Sequence, residues 1–198
     1  NTGQSVFLGE GAGASDNLSS NKNVFVGYQS GLSATGGEGN TGIGYRSLYS
    51  IVNSEQNTVC GYEAMSLGSG AYNAALGYRA LYSNNGGTGN VALGMHALYA
   101  NTTGFRNVAV GYSALQNNTL GEYNVGMGYQ ALFSNTTGFY NTAIGSGALR
   151  LNTTGYNNVA IGYESLRSNT TALNNVAIGY QTLYSNTTSI NNTAIGKY

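Results

Sequence analysis

The sequence predicts an all-β fold: a parallel β-solenoid (β-roll) of about twelve 17-residue coils, forming a single repeat domain over residues 1–198. Three observations carry that prediction. One glycine recurs at a near-constant interval along the chain. The residues before it alternate in polarity. Each repeat is too short to hold a pair of helices.

The glycine stands at Gly9, Gly27, Gly44, Gly61, Gly77, Gly94, Gly111, Gly128, Gly145, Gly162, Gly179 and Gly196. The steps are 18, 17, 17 and 16 residues, then 17 throughout. A fixed period of this kind marks a repeat architecture. The loss of all slack after Gly77 is what stacking in register demands.

The word ahead of each glycine, as in Asn175-Val176-Ala177-Ile178, alternates with period two. That pattern reads as a short β-strand with one face in a core, and the β-branched residues fit it. Val and Ile are expected to point inward, with Asn and Ala on the other face. The segment "YQALYSN" holds helix-compatible Ala and Leu, but helical repeats need about 33 residues per unit. A second short strand is therefore expected over "xALYS", with a turn at "NTTG" where Gly supplies positive φ.

Each coil is then expected to bury a Val, an Ile and a Leu, each contributing about 1.5–3 kcal/mol. Ordering a residue's backbone costs about 1–2 kcal/mol. One coil cannot offset that cost for its own 17 residues, so coils must stack. At about 4.8 Å per coil the rod would be about 55 Å long.

Stacking turns repeated residues into ladders. The Asn four before the glycine would form an amide ladder, as in cross-β stacks. The residue after the glycine gives a packing or binding ladder of Tyr28, Tyr45, Tyr62, Tyr78, Tyr112, Tyr129, Tyr163 and Tyr180. It reads either as rings stacked along the rod or as an exposed row that binds sugars or proteins. A second aromatic column, Tyr49, Tyr82, Tyr99, Phe133 and Tyr184, is interrupted by Gln116, Arg150 and Arg167, which suggests exposure. The small column two before the glycine is either a thin wall or a seam between chains, with Ala143, Ala160 and Ala177 as the seam candidates.

Composition narrows the function. Charged residues are 7% of the chain, seven basic against seven acidic, and they are scattered. A nucleic-acid partner calls for a basic patch, which the sequence lacks. A polybasic membrane patch is absent for the same reason, and no apolar run reaches the roughly 18 residues needed to span a bilayer. The 41% of apolar residues, strictly placed, argue for order rather than disorder. Cys60 is the only cysteine, so no intrachain disulfide forms.

No catalytic, metal or cofactor site is expected, and the chain is read as non-enzymatic. His96 stands alone in a polar column where other copies carry Gln, Arg or Glu, and reads as a solvated side chain. Cys60 occupies an apolar column and reads as a small buried hydrophobe. Asp16 is the only aspartate, whereas calcium-binding β-rolls repeat theirs in every turn. The stretch "GEGAG" at Gly9–Gly13 precedes no helix signal, so it is not a phosphate cradle. The "NTT" turns at Asn101, Asn135, Asn152, Asn169 and Asn186 are ordinary turn residues or glycosylation turns, with glycan on Asn or Thr.

The words "NVAIGYxxL", "NTAIG" and "NNVAIG" resemble the head repeats of YadA-like trimeric autotransporter adhesins. They are closer still to the "NTAxGYQALYSNTTG" arrays of bacterial and phage tail-fibre-domain proteins. The resemblance runs from about Gln4 to Lys197. It implies a left-handed parallel β-roll, three chains wound side by side at a cell or virion surface, and adhesion to a host, matrix or neighbouring cell. This repeat is longer than the adhesin-head repeat, with "YSNTT" enlarging one turn.

The function expected is that of a non-enzymatic extracellular fibre giving a rigid, repetitive surface for adhesion or filament assembly. Its partners would be further copies of itself, as a homotrimer or an end-to-end filament, together with cell-surface or matrix glycans or proteins. Repetition would supply avidity. The alternatives are a phage tail-fibre segment binding host glycans and an ice-binding solenoid. Adjacent Thr residues in an extended segment point to opposite faces, which argues against flat Thr ranks. The chain opens without a methionine or signal peptide, and the array starts and stops within a repeat; both features are read as those of a segment of a longer fibre.

Overall fold

The structure, a computed structural model, describes residues 4–17 and 21–197. Among them are twelve three-residue strands: β1 (Val6–Leu8), β2 (Val24–Val26), β3 (Thr41–Ile43), β4 (Thr58–Cys60), β5 (Ala74–Leu76), β6 (Val91–Leu93), β7 (Val108–Val110), β8 (Val125–Met127), β9 (Thr142–Ile144), β10 (Val159–Ile161), β11 (Val176–Ile178) and β12 (Thr193–Ile195). They form one sheet in strict sequence order, every pair parallel. Register never slips: Ala160 lies between Ala143 and Ala177. The chain is a parallel β-solenoid, one coil per repeat.

The strand alternation faces the opposite way from the expectation. Ala143, Ala160 and Ala177 are fully buried, and so are Asn141, Asn158 and Asn175. Val159 and Ile161 lie half-buried on the outside, and Leu76 is 54% exposed. The interior is too thin for the expected filling. At Gly126, which occupies the small column, an added Cβ would already sit 3.2 Å from the Cγ of Leu115 and 3.3 Å from the carbonyl of Ala131. The small column is therefore an inner wall, and Ala143, Ala160 and Ala177 are not a seam between chains.

The expected second strand is also absent among the described residues. The second and fourth residues after the glycine take positive φ, as at His96 (+58°), Leu98 (+51°), Gln130 (+52°) and Leu132 (+52°). A strand needs negative φ at every residue. This flank nonetheless bonds coil to coil: Leu98 N donates to Ala114 O at 3.1 Å and Ala100 N to Gln116 O at 2.9 Å. A left-handed leucine costs about 1–2 kcal/mol. The conformation turns Leu98, Leu115, Leu132 and Leu149 into the core, fully buried, and such burial contributes about 1.5–3 kcal/mol. Burial therefore offsets the strain.

The glycine that ends each strand is fixed by two constraints at once. At Gly162 φ is +130°, and a Cβ would lie 2.3 Å from the carbonyl oxygen of Gly179 in the next coil. No other residue avoids both the strain and the backbone clash.

Candidate functional site

Buried amides hold the coils in register. The Asn141 Nδ2 donates to the Asn124 Oδ1 at 3.1 Å and to the Gly155 carbonyl at 2.8 Å, while the Asn141 backbone N donates to the same Asn124 Oδ1 at 3.0 Å. A second amide ladder runs through the "NTT" asparagines together with Asn84 and Asn118, which share their column. The Asn118 Nδ2 donates to the Asn101 Oδ1 at 2.9 Å and to the Gly121 carbonyl at 3.0 Å, and Asn135 and Asn152 repeat the pattern.

This second ladder corrects the reading of Asn101, Asn135, Asn152 and Asn169 as glycan-bearing asparagines. Asn101, Asn135, Asn152 and Asn169 are fully buried, and their amide nitrogens are already bonded on two sides. A transferase cannot reach them in the folded rod. Asn186, in the last full coil, is half-buried. An unpaired buried amide costs about 1–3 kcal/mol, which accounts for the persistence of Asn in these columns.

In the turns at Asn101, Asn135, Asn152 and Asn169 the two threonines differ in exposure. Thr102 is half-buried, and its Oγ1 donates to the Thr119 carbonyl at 3.0 Å; Thr103 beside it is exposed. The segment is a bend rather than the extended strand assumed in the sequence reading. The half-buried rank nevertheless spends its hydroxyls on the backbone, in Thr119, Thr136 and Thr153 as in Thr102.

The outer surface of the strands carries the dominant exposed feature. Three columns lie side by side there: the Val/Thr three before the glycine, the Ile/Leu/Val one before it, and the Tyr one after it. Ile43 is 42% exposed and Tyr129 54%. Leu8, Leu93, Met127, Ile144 and Ile195 are exposed in the same stripe. Cys60 belongs to this stripe and is half-buried on the outside, not the core residue the sequence suggested.

The tyrosines of the stripe stack in runs. Ring centroids are 5.4 Å apart for Tyr28–Tyr45, 4.8 Å for Tyr45–Tyr62 and 5.4 Å for Tyr62–Tyr78, with planes within 12° of parallel. Tyr112–Tyr129 and Tyr163–Tyr180 repeat the geometry. Met95 and Ser146 interrupt the column. Inside a run each ring covers its neighbour's face, so edges and hydroxyls meet solvent. Sugars stack on ring faces, which these runs occupy with themselves.

A polar ladder borders the tyrosines. Arg79 pairs with Glu63 at 2.7 Å, and that bond raises the guanidinium pKa above its ordinary value. Arg46 Nε donates to the Gln29 Oε1 at 2.9 Å. Each guanidinium also sits between two rings: Arg46 is 5.3 and 5.2 Å from Tyr45 and Tyr49, and Arg79 is 5.3 and 5.2 Å from Tyr78 and Tyr82. Such contacts contribute about 0.5–1 kcal/mol at exposed sites. The second aromatic column is half-buried at Tyr49, Tyr82, Tyr99, Phe133 and Tyr184, so its arginines serve as lids on neighbouring rings. His96 is half-buried against Tyr78 and Tyr99, rather than fully solvated. Its pKa is lowered, first by this desolvation and then by Arg79.

The apolar stripe had a signal in the sequence. Its third column is tyrosine, two residues beyond the Ile column, and a large amphipathic ring seldom fills a narrow interior. Had Tyr been set outside, Ile and Val would have gone with it. Among the described residues no group of three or more His, Cys, Asp or Glu could hold a metal, and no helix is long and apolar enough to cross a membrane.

Fold and surface together define a class: a β-solenoid repeat protein with a continuous apolar outer face. No protein-family model, curated protein or solved structure matches the chain.

Proposed function

We propose that the chain is a non-enzymatic extracellular fibre protein, giving a rigid, repetitive surface for adhesion or filament assembly. The observation that carries this reading is the outward Val/Ile/Tyr stripe, which extends from β1 to β12 without a charged side chain in either strand column. Parallel sheets as a rule bury both faces, and an exposed apolar patch of this extent marks an interaction site. The partner of the stripe is a further copy of the chain, three wound side by side in the arrangement the repeat resemblance implies. Rims of arginine, glutamate and glutamine beside the tyrosines keep the rest of the rod soluble. Adhesive contacts then fall to the remaining flanks, where each weak contact recurs once per coil and gains by avidity.

Sedimentation of the native chain and of an Ile144→Glu/Ile161→Glu/Ile178→Glu variant tests the reading. The native chain is expected to associate and the variant to sediment as a monomer with an unchanged β-rich circular dichroism spectrum. A native chain that stays monomeric at all concentrations would overturn the assignment of the stripe.

A further inference from the structure

We propose that Asn85–Gly86 is a site of spontaneous backbone modification, in which Asn85 closes to a succinimide and opens to an aspartyl or isoaspartyl residue. Among all the asparagines of the sequence, Asn85 alone precedes a glycine. The reaction requires the backbone nitrogen of the following residue to reach the side-chain Cγ, and any side chain on that residue obstructs the approach. At Gly86 nothing lies within 4 Å of where a Cβ would sit, and φ is +104°. Asn85 and Gly86 are both exposed. The ladder asparagines are the reverse case: buried, with both amide atoms bonded.

A second observation points to the same chemistry. The Ser69 hydroxyl donates to the Asn85 Oδ1 at 3.3 Å. That oxygen takes the negative charge when nitrogen adds to Cγ, and a donor aimed at developing charge lowers the barrier. The attacking Gly86 N is held only by a long bond of 3.3 Å to the Ser69 carbonyl, whereas the Asn85 N is fixed to the Thr102 carbonyl at 2.8 Å. The attacking nitrogen is loosely held, while the main chain of Asn85 is fixed.

The step balances without an outside oxidant or cofactor. Gly86 N forms a bond to Asn85 Cγ and gives up its proton. The Cγ–Nδ2 bond breaks, and the nitrogen leaves as ammonia. Water then adds to one of the two imide carbonyls. Opening at one yields an aspartyl residue. Opening at the other routes the main chain through the former side chain, adding one methylene to a coil that has no slack. The neighbouring Asn84 starts the second amide ladder, with its Nδ2 on the Ser69 and Gly87 carbonyls at 2.6 and 2.8 Å. Isoaspartyl formation therefore strikes where that ladder begins.

The test is prolonged incubation of the full chain in mildly alkaline buffer. Peptide mass mapping and isoaspartyl methyltransferase labelling then locate the products. Conversion is expected in the peptide holding Asn85 and not in those holding Asn118 or Asn141. Asn85→Gln should abolish it, and Ser69→Ala should slow it severalfold at unchanged circular dichroism. Conversion spread evenly over the asparagines, or none at Asn85, would overturn the proposal; a Ser69→Ala rate equal to that of the native chain would overturn the role of the hydroxyl.

Discussion

The coils built on β1 and β2 and those built on β6 to β11 fill the same interior from opposite sides. In the early coils the strand supplies the bulk, Phe7 and Phe25, whose rings stack at 5.7 Å. The facing flank then carries Gly13 and Gly31, where a Cβ would meet each ring at 2.6 Å. In the later coils the strand shrinks to Ala or Gly, and the flank supplies Leu98, Leu115, Leu132, Leu149 or Leu166. What the repeat preserves is the volume of a closely packed interior, not the residue in any one column. The two regions differ also at the seventh position after the glycine. The β1 coil places Asp16 there, bonded to Asn21 and Asn23, and the β2 coil a buried Ala34; Ile51 follows in the β3 coil, and the amide ladder takes the position from Asn84 onward. The amide ladder beside the strand, by contrast, continues unbroken from Asn23 in the β2 coil into the later coils, with Ser5 standing in its column in the β1 coil.

The largest effect is expected where the regions do not differ. Gly162→Ala combines a φ of +130° with a backbone contact of 2.3 Å, and should cost about 3 kcal/mol or more. Gly27→Ala should cost the same in urea unfolding, since its Cβ would lie 2.5 Å from the Gly44 carbonyl oxygen. A large gap between the two would mean that the regions close their strands differently.

Next comes the exchange of bulk. Phe25→Ala opens a cavity worth about 3–5 kcal/mol. Adding Gly31→Leu converts the coil to the later type, and most of the loss should return, because leucine occupies the same left-handed position at Leu48 (φ +52°). If thermal unfolding of the double variant shows no recovery, the two packings are not equivalent.

Asn118→Ala removes the donor to the Asn101 Oδ1 and leaves the Asn135 Nδ2 with one of its two bonds, to the Gly138 carbonyl. It should cost about 1–3 kcal/mol, measurable by urea unfolding, whereas Ile51→Ala at the same position of the β3 coil should cost about 2–5 kcal/mol through its cavity. These overlapping costs have different signatures. Only the asparagine variant should speed amide hydrogen exchange at its bonded neighbours without loss of apolar burial.

The smallest effect concerns pH. The His96 pKa in the fold lies below its ordinary 6.5, so the unfolded chain binds more protons there. Stability is therefore full above about pH 6.5 and declines as pH falls through the lowered value. His96→Gln should remove that slope from denaturation curves, while early-coil variants leave it in place.

The solenoid, its period and its register were legible in the glycine spacing, because a stacked coil tolerates neither insertion nor deletion. The inside and the outside were not. Alternation fixes that Val176 and Ile178 share a face, but parity alone does not say which face, and the usual preference for burying Val and Ile selected the wrong one. The interior takes Ala177 and Asn175 because buried amides bonded along the ladder lose nothing to desolvation, and a narrow coil has no room for more. The flank from Tyr180 to Ser185 departs from its sequence pattern for a different reason. Left-handed Gln181 and Leu183 lie outside the conformations that strand or helix patterns describe. Asn101 and Asn135 likewise looked like turn residues because their local sequence is a turn; their bonds go to residues seventeen positions away, which no local window contains.

The bonds that join one coil to the next, in the strands, along the left-handed flank and through both amide ladders, all run along the length of the rod. Tension between its ends would load those bonds together at each junction, with the junctions themselves in series. When one junction fails it sheds about 4.8 Å of rod and releases 17 residues of chain, which extend to about 60 Å. A tether of this design lengthens by more than ten times what it loses at each step, dissipating load one coil at a time while the remaining coils stay wound.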